Sequence, residues 1–154
     1  SIAAARKAQI PVIYVSVKFR EGFPEVSDAN KSFSVLKTTP AFASPEATAI
    51  HPAVQSQPQD VCITKRRVSA FTGSDLEVVL RAGNIRQLVL TGIATSGVVL
   101  STLREAADKD FQITVLEDCC ADSDNEVHEV LMKKVFPRQA TVINSQDWMA
   151  TLHH

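Results

Sequence analysis

Hydrophobic and polar positions along the chain fall into two alternating rhythms. Short runs rich in β-branched residues recur at Pro11 to Val17, Asp60 to Lys65, Arg86 to Gly92, Phe111 to Glu117 and Ala140 to Ile143. Such runs read as strands. The third is uninterruptedly apolar at Leu88, Val89 and Leu90, as in a strand covered on both faces. Between the runs the apolar spacing turns helical. Ser1 to Ala8 reads as the end of a helix, closed off before Pro11. Ser74-Asp75-Leu76-Glu77 resembles a capping box, and the helix carrying Leu76, Val79 and Leu80 is expected to stop at Gly83. A helix from about Ser96 to Lys109 would turn Val98, Val99, Leu103 and Ala106 inward and Arg104, Glu105, Asp108 and Lys109 to water. Another, from Asn125 to Phe136, would bury Val127, Val130, Leu131 and Val135. Ser145 would cap a last helix bearing Trp148 and Leu152. From Lys18 to about Asp60 the rhythm dissolves into Gly, Pro, Ser, Thr and Asn, a long loop with a helical turn or two. Loops of that length in compact domains are functional or mobile.

Repeated alternation of strand and helix predicts a Rossmann-like, three-layer α/β/α sandwich around a mostly parallel sheet. In such sheets ligands bind at the carboxyl ends of strands, here just after Val17, Ile63, Leu90 and Leu116. The length of 154 residues suits a single domain over residues 1–154, because a chain of that size buries roughly two-thirds of its unfolded surface. Sixteen basic against seventeen acidic side chains leave a net charge of -1, which gives no footprint for nucleic acid or an anionic membrane. No apolar run approaches the ~20 residues of a membrane span. The three cysteines, Cys62, Cys119 and Cys120, have no zinc-type spacing, and free thiols fit a reducing cytoplasm.

Four positions invite a chemical reading. Lys65 ends the second strand, where partial burial would lower its pKa and let it orient a carboxylate or a nucleophile; a solvated charge at a strand end is the plainer alternative. Thr91 to Val98 links the third strand to a helix with small residues, so backbone N–H groups can face the crevice and stabilise an anion. An ordinary tight turn would look the same. The segment lacks a phosphate-loop pattern, which weakens a flavodoxin-like nucleotide-binding reading. His51, His128, His153 and His154 are scattered and suggest no metal pair, and His51 and His128 read as structural or solvated. Asp118 and Asp122 flank Cys119 and Cys120, where capping of the next helix explains them about as well as catalysis does.

Four segments together resemble the isochorismatase-like (cysteine hydrolase) family: Thr64 to Phe71, Gly73 to Leu76, Leu90 to Gly97 and Leu116 to Asp122. The resemblance covers essentially the whole chain, with the motifs in the family's order. It implies a six-stranded parallel sheet and a site built from an Asp after the first strand, a Lys and a Cys at a helix start. Members include isochorismatases, nicotinamidases and carbamoyl-amide hydrolases. Lys65 matches the family lysine. Ile93-Ala94 matches a position where the family commonly carries a cis peptide, and the N–H groups of Ala94 and Val98 would by analogy form the oxyanion hole.

The chain departs from that pattern at two places. Val98 stands where the family cysteine falls, and its side chain cannot attack a carbonyl. The first strand and its Asp are not found in the chain, which predicts a longer intact protein and a free strand edge on either side of the gap. Isochorismatases proper act without the cysteine, which leaves an acid-labile small molecule as the expected substrate, with Lys65 and an upstream Asp as the machinery. A relative that binds a small ligand or serves in assembly without catalysis is the alternative. Phe19, Arg20, Phe33, Phe42 and Phe71, with Thr95, Ser96 and Gly97, are candidate pocket residues, although some of the aromatic ones could simply be core. No metal or other cofactor is expected, no nucleic acid or membrane partner, and a homodimer or larger homo-oligomer by analogy alone.

Overall fold

The computed structural model describes residues 1–42 and 48–153. The β-branched runs form five strands, β1 (Ile13–Val17), β2 (Val61–Lys65), β3 (Gln87–Ile93), β4 (Gln112–Ala121) and β5 (Thr141–Ile143). Instead of one sheet they make two among the described residues: β1 pairs β2, and β3, β4 and β5 pair in that order, all parallel. Val17 lies opposite Lys65, so the lysine closes its strand. β4 runs on through Asp118, Cys119 and Cys120, past the expected stop at Glu117. A register shift between Leu90 and Gly92 lets Gly92 pair with Cys120. Gly92 has φ 132, which only glycine adopts without strain.

Between the two sheets lies a cavity of about 250 Å³. Val12, Ile13 and Val15 line it from one side and Leu88, Val89 and Leu90 from the other. The free edges of β1 and β3 therefore face each other across a gap in the middle layer.

Among the described residues, six α-helices flank the strands or the long loop: α1 (Ile2–Lys7), α2 (Lys31–Ser34), α3 (Leu76–Ala82), α4 (Leu100–Asp108), α5 (Asn125–Val130) and α6 (Ser145–Ala150). On one face, Leu80, Leu103, Ala106, Met132 and Phe136 pack on Ile63, Ile113 and Val115. On the other, Ala5 and Trp148 pack on Leu116. The alternation of Val115 and Leu116 within β4 serves both faces, so the layers are helix, strand, helix.

Several helix boundaries differ from the sequence expectation, each for a local reason. α3 does stop at Gly83 as expected, although it is Asn84 that takes the left-handed conformation after it (φ 52), with Ile85 N–H closing on Leu80 O at 2.9 Å. Asn144 rather than Ser145 caps α6, accepting from Asp147 N at 2.8 Å. α4 becomes regular only at Leu100, because Gly97 (φ -101, ψ -107) breaks the turn before it. The helix after Asp124 widens from Leu131 to Val135 and tightens again at Phe136, ahead of Pro137. It turns Leu131, Met132 and Phe136 inward and leaves Val127 and Val130, expected inside, among the exposed apolar residues. Among the described residues no helix is long and apolar enough to cross a membrane.

Candidate active site

The link from β3 to α4 is built from small residues and held from two directions. The Ile93–Ala94 peptide is cis. Ala94 O then accepts from Gly97 N at 3.1 Å and Val99 N at 3.3 Å, which folds the segment into a compact turn. Thr95 is fully buried, and its Oγ1 lies 2.8 Å from His128 Nδ1 of α5. Ser96 is exposed and is gripped by Asp122, whose Oδ2 accepts from Ser96 Oγ at 2.6 Å and Ser96 N at 2.7 Å. The Ser96 hydroxyl and then its N–H are the largest causes holding the Asp122 carboxyl down at about 2. Val98 is half-buried, next to the buried Val99. A turn anchored this way presents main-chain groups at the start of α4 in a fixed geometry, which is what stabilising a developing anion requires.

Lys65 forms a second node. It is half-buried, and desolvation pushes its ammonium pKa below the ordinary lysine value. Its Nζ donates to Arg67 O at 2.7 Å, and among the described residues it makes no ion pair. Its neighbours are paired. Arg66 Nε donates to Glu25 Oε1 at 3.0 Å, Arg20 pairs with the same carboxylate, and Arg67 Nη2 donates to Glu25 O at 2.9 Å. Burial raises the Glu25 pKa, but its own N–H together with Arg20 and Arg66 outweigh that and hold it below the usual range. Arg67 also lies over Phe33, 5.9 Å from the ring centroid. Phe19 gathers Phe23, Phe33 and Phe42 at centroid distances of 5.6, 5.9 and 6.2 Å. The loop between β1 and β2 is thus tied to the end of β2 by one carboxylate and one aromatic cluster.

The structure unites Ala94, Thr95, Ser96, Gly97 and Val98 in one turn, and Arg20 meets Arg66, the neighbour of Lys65, on Glu25, a node that Lys65 itself does not join. Lys65 makes no hydrogen bond to that turn. Phe71 is buried in the core against Phe111, with centroids 5.9 Å apart. The residues before it are a structural clasp. Ser69 Oγ and Thr72 Oγ1 both donate to Glu105 of α4, and Ala70 N donates to Thr102 Oγ1 at 3.0 Å. Asp118 and Asp122 do not cap the helix that follows them; Asp124 does, accepting from Glu126 N and Val127 N. Asp118 instead accepts from Ser145 Oγ and N at the start of α6, and the Ser145 hydroxyl is the largest cause of its lowered pKa. Burial pushes the Cys120 thiol up to about 11, which disfavours its reactive form. No pattern in the sequence singles out Glu25, and the pattern brings up Asp122 and His128 without the contacts they make. Ser96, Thr95, Arg66 and Arg67, which they meet, lie 26 to 42 positions away, so no local spacing announces those contacts.

Parallel strands between two helical layers, with a main-chain turn and a half-buried lysine at the carboxyl ends of strands, define an α/β protein. The chain belongs to the isochorismatase family, whose isochorismatase domain model matches residues 1–147. It is 36% identical over 115 residues to an uncharacterised isochorismatase family protein, YecD, of Escherichia coli O157:H7, covering 74% of this chain and 61% of that one. It is 37% identical over 108 residues to the ureidoacrylate amidohydrolase RutB of Agrobacterium fabrum, covering 68% of this chain and 43% of that one. A solved isochorismatase family protein from Burkholderia thailandensis superposes with a TM-score of 0.90 at 32% identity, over 99% of this chain and 79% of its own. The chain thus spans 61% of the Escherichia protein's length and less than half of the Agrobacterium one's.

Proposed function

We propose that this protein is a hydrolase of a small molecule that works without a cysteine nucleophile. Family membership and relatives named as amidohydrolases support hydrolysis as the reaction class. The observation that carries the finer reading is Val98 in the anchored turn together with a half-buried Lys65 that makes no ion pair among the described residues. Valine offers no attacking atom, so an amide cannot be opened through a thioester here. Acid–base hydrolysis of a vinyl ether needs none. An acid protonates the terminal alkene carbon, water adds to the resulting oxocarbenium carbon, and the C–O bond breaks to give a ketone and an alcohol while the water's proton returns to the base. In this reading the acid is a carboxylate outside this chain, Lys65 sets its charge state, and the N–H groups of Ala94 and Val98 face the reacting oxygen.

The test is a substrate panel on the enzyme carrying this sequence. Nicotinamide and N-carbamoyl amides should not be turned over, whereas an isochorismate-like vinyl ether should be, with activity lost in Lys65→Met. Amide turnover by sequence-verified protein would sink the proposal. That Lys65 makes no ion pair among the described residues also favours a second reading, a relative that binds a small acid without transforming it. Saturable binding with no turnover across the panel would select it.

A further inference from the structure

We infer, on the reading that the Ala94 to Val98 turn faces the reacting oxygen, that His128 is a positioning residue for it: His128 holds the turn through Thr95, as one jaw of a clamp whose other jaw is Asp122. The turn has little to fix it from within. Ala94 O ties down the N–H groups of Gly97 and Val99, but these bonds are internal and move with the turn. Gly97, at φ -101 and ψ -107, interrupts the helical path and separates the turn from the regular part of α4. The grips from outside fall on Thr95 and Ser96, adjacent residues that face opposite ways, Thr95 fully buried and Ser96 exposed. Two grips on opposite sides of a short segment fix its rotation, where either alone leaves a hinge.

Both grips come from one stretch of chain, Asp122 to His128, which leads from β4 into α5. That stretch is itself braced. Asp122 Oδ1 accepts from Asp124 N at 3.2 Å, Asp124 Oδ1 accepts from Glu126 N at 2.9 Å and Val127 N at 3.2 Å, and His128 N donates to Asp124 O at 3.1 Å. A continuous run of hydrogen bonds thus joins the two jaws. The jaws differ in kind. The Asp122–Ser96 contact lies at the surface, where water competes for both partners. The Thr95 hydroxyl is wholly buried, and His128 Nδ1, 2.8 Å away, is its one side-chain or main-chain partner among the described residues. Without the imidazole that hydroxyl is left unpaired in the interior, a state that favours turning Thr95, and the main-chain N–H groups beside it, toward another partner. A displacement of about 1 Å suffices to misdirect donors that must meet a developing anion.

Three substitutions at position 128 test the contact. Asparagine places an amide oxygen or nitrogen at the same bond distance from the backbone as imidazole Nδ1, so His128→Asn keeps the contact whichever partner carries the proton. His128→Gln moves the polar group one bond further out, and His128→Leu has none. Hydrogen exchange followed by NMR should be at least about tenfold faster at the Ala94 to Val98 amides in the Leu and Gln variants, and within about twofold of native in the Asn variant, with the β4 amides unchanged in all three. In turnover of the vinyl ether, Leu and Gln should lower kcat by about 100-fold with KM within about twofold, and Asn should restore kcat to within about threefold of native. Turn amides that do not respond to Leu or Gln, an Asn variant no better than Leu, or a loss falling on KM would overturn the inference. If the Leu variant does not fold, the comparison of Gln with Asn decides. Absence of turnover by the native enzyme would count against the vinyl-ether reading, and the amide comparison would still uphold or overturn the clamp.

Discussion

Val98→Cys asks whether position 98 faces the crevice. The variant is made with Cys62→Ser and Cys119→Ser, so that the buried Cys120 is the only native thiol remaining. Val98 is half-buried at the opening of α4, while Cys120 is buried on β4 with its thiol pushed up to about 11. A thiol with an ordinary pKa of about 8.5 is roughly one-quarter thiolate at pH 8, whereas one at about 11 is roughly one-thousandth thiolate. Because only the thiolate is alkylated, the introduced thiol should react about two hundred-fold faster than Cys120 before any difference in access is counted. The position at the start of a helix can only increase that ratio. Iodoacetamide labelling at pH 8, followed over time by intact mass and mapped by peptide digestion, measures both rates in one sample. Labelling as slow as that of Cys120 would refute the placement, and with it the reading that a cysteine at this position would reach a substrate.

The remaining predictions address the two nodes. Asp122 has its folded pKa depressed to about 2, below the unfolded value of about 3.9, so its grip on Ser96 is fully present above pH 4 and is lost as pH falls through 2. Exchange of the Ser96 amide, followed by NMR, should accelerate over that window in the native protein and be fast throughout in Asp122→Asn; an unchanged native rate would contradict the contact. Thr95→Val keeps the shape and removes the hydrogen bond to His128, at a cost of about 1 kcal/mol in urea unfolding. In a double-mutant cycle with His128→Ala the two losses should add to less than their sum, and full additivity would mean that the pair does not interact. Burial lowers the folded pKa of Lys65, so the unfolded chain holds its proton to higher pH than the folded one. Stability should therefore gain a contribution as pH rises from the lowered value toward the unfolded value of about 10.4, and Lys65→Met should remove it. Identical alkaline profiles for the two proteins would count against a desolvated lysine.

Family, layer order and the positions of Lys65 and the Ala94 to Val98 turn could be read before any coordinate, because strand and helix periods and four ordered motifs are local properties of the chain. What the sequence left open depends on residues that meet only after folding. Phe71 reads as a candidate pocket residue, and only the fold shows that it packs on Phe111 while Glu105 and Thr102, some thirty positions later, clasp the residues before it. Asp122 looks like a helix cap, but the bulge at Gly92 brings it to Ser96 instead. Val127 and Val130 fit an inward stripe, but the contact between His128 and Thr95 fixes the rotation of α5 and turns them out. An unbroken apolar run marks β3 as a strand for the middle of a sheet. The resemblance leads to the expectation of a free strand edge, but only the tertiary structure shows that among the described residues β3 and β1 carry it, because pairing is settled by which strand arrives alongside and not by the strand's own residues.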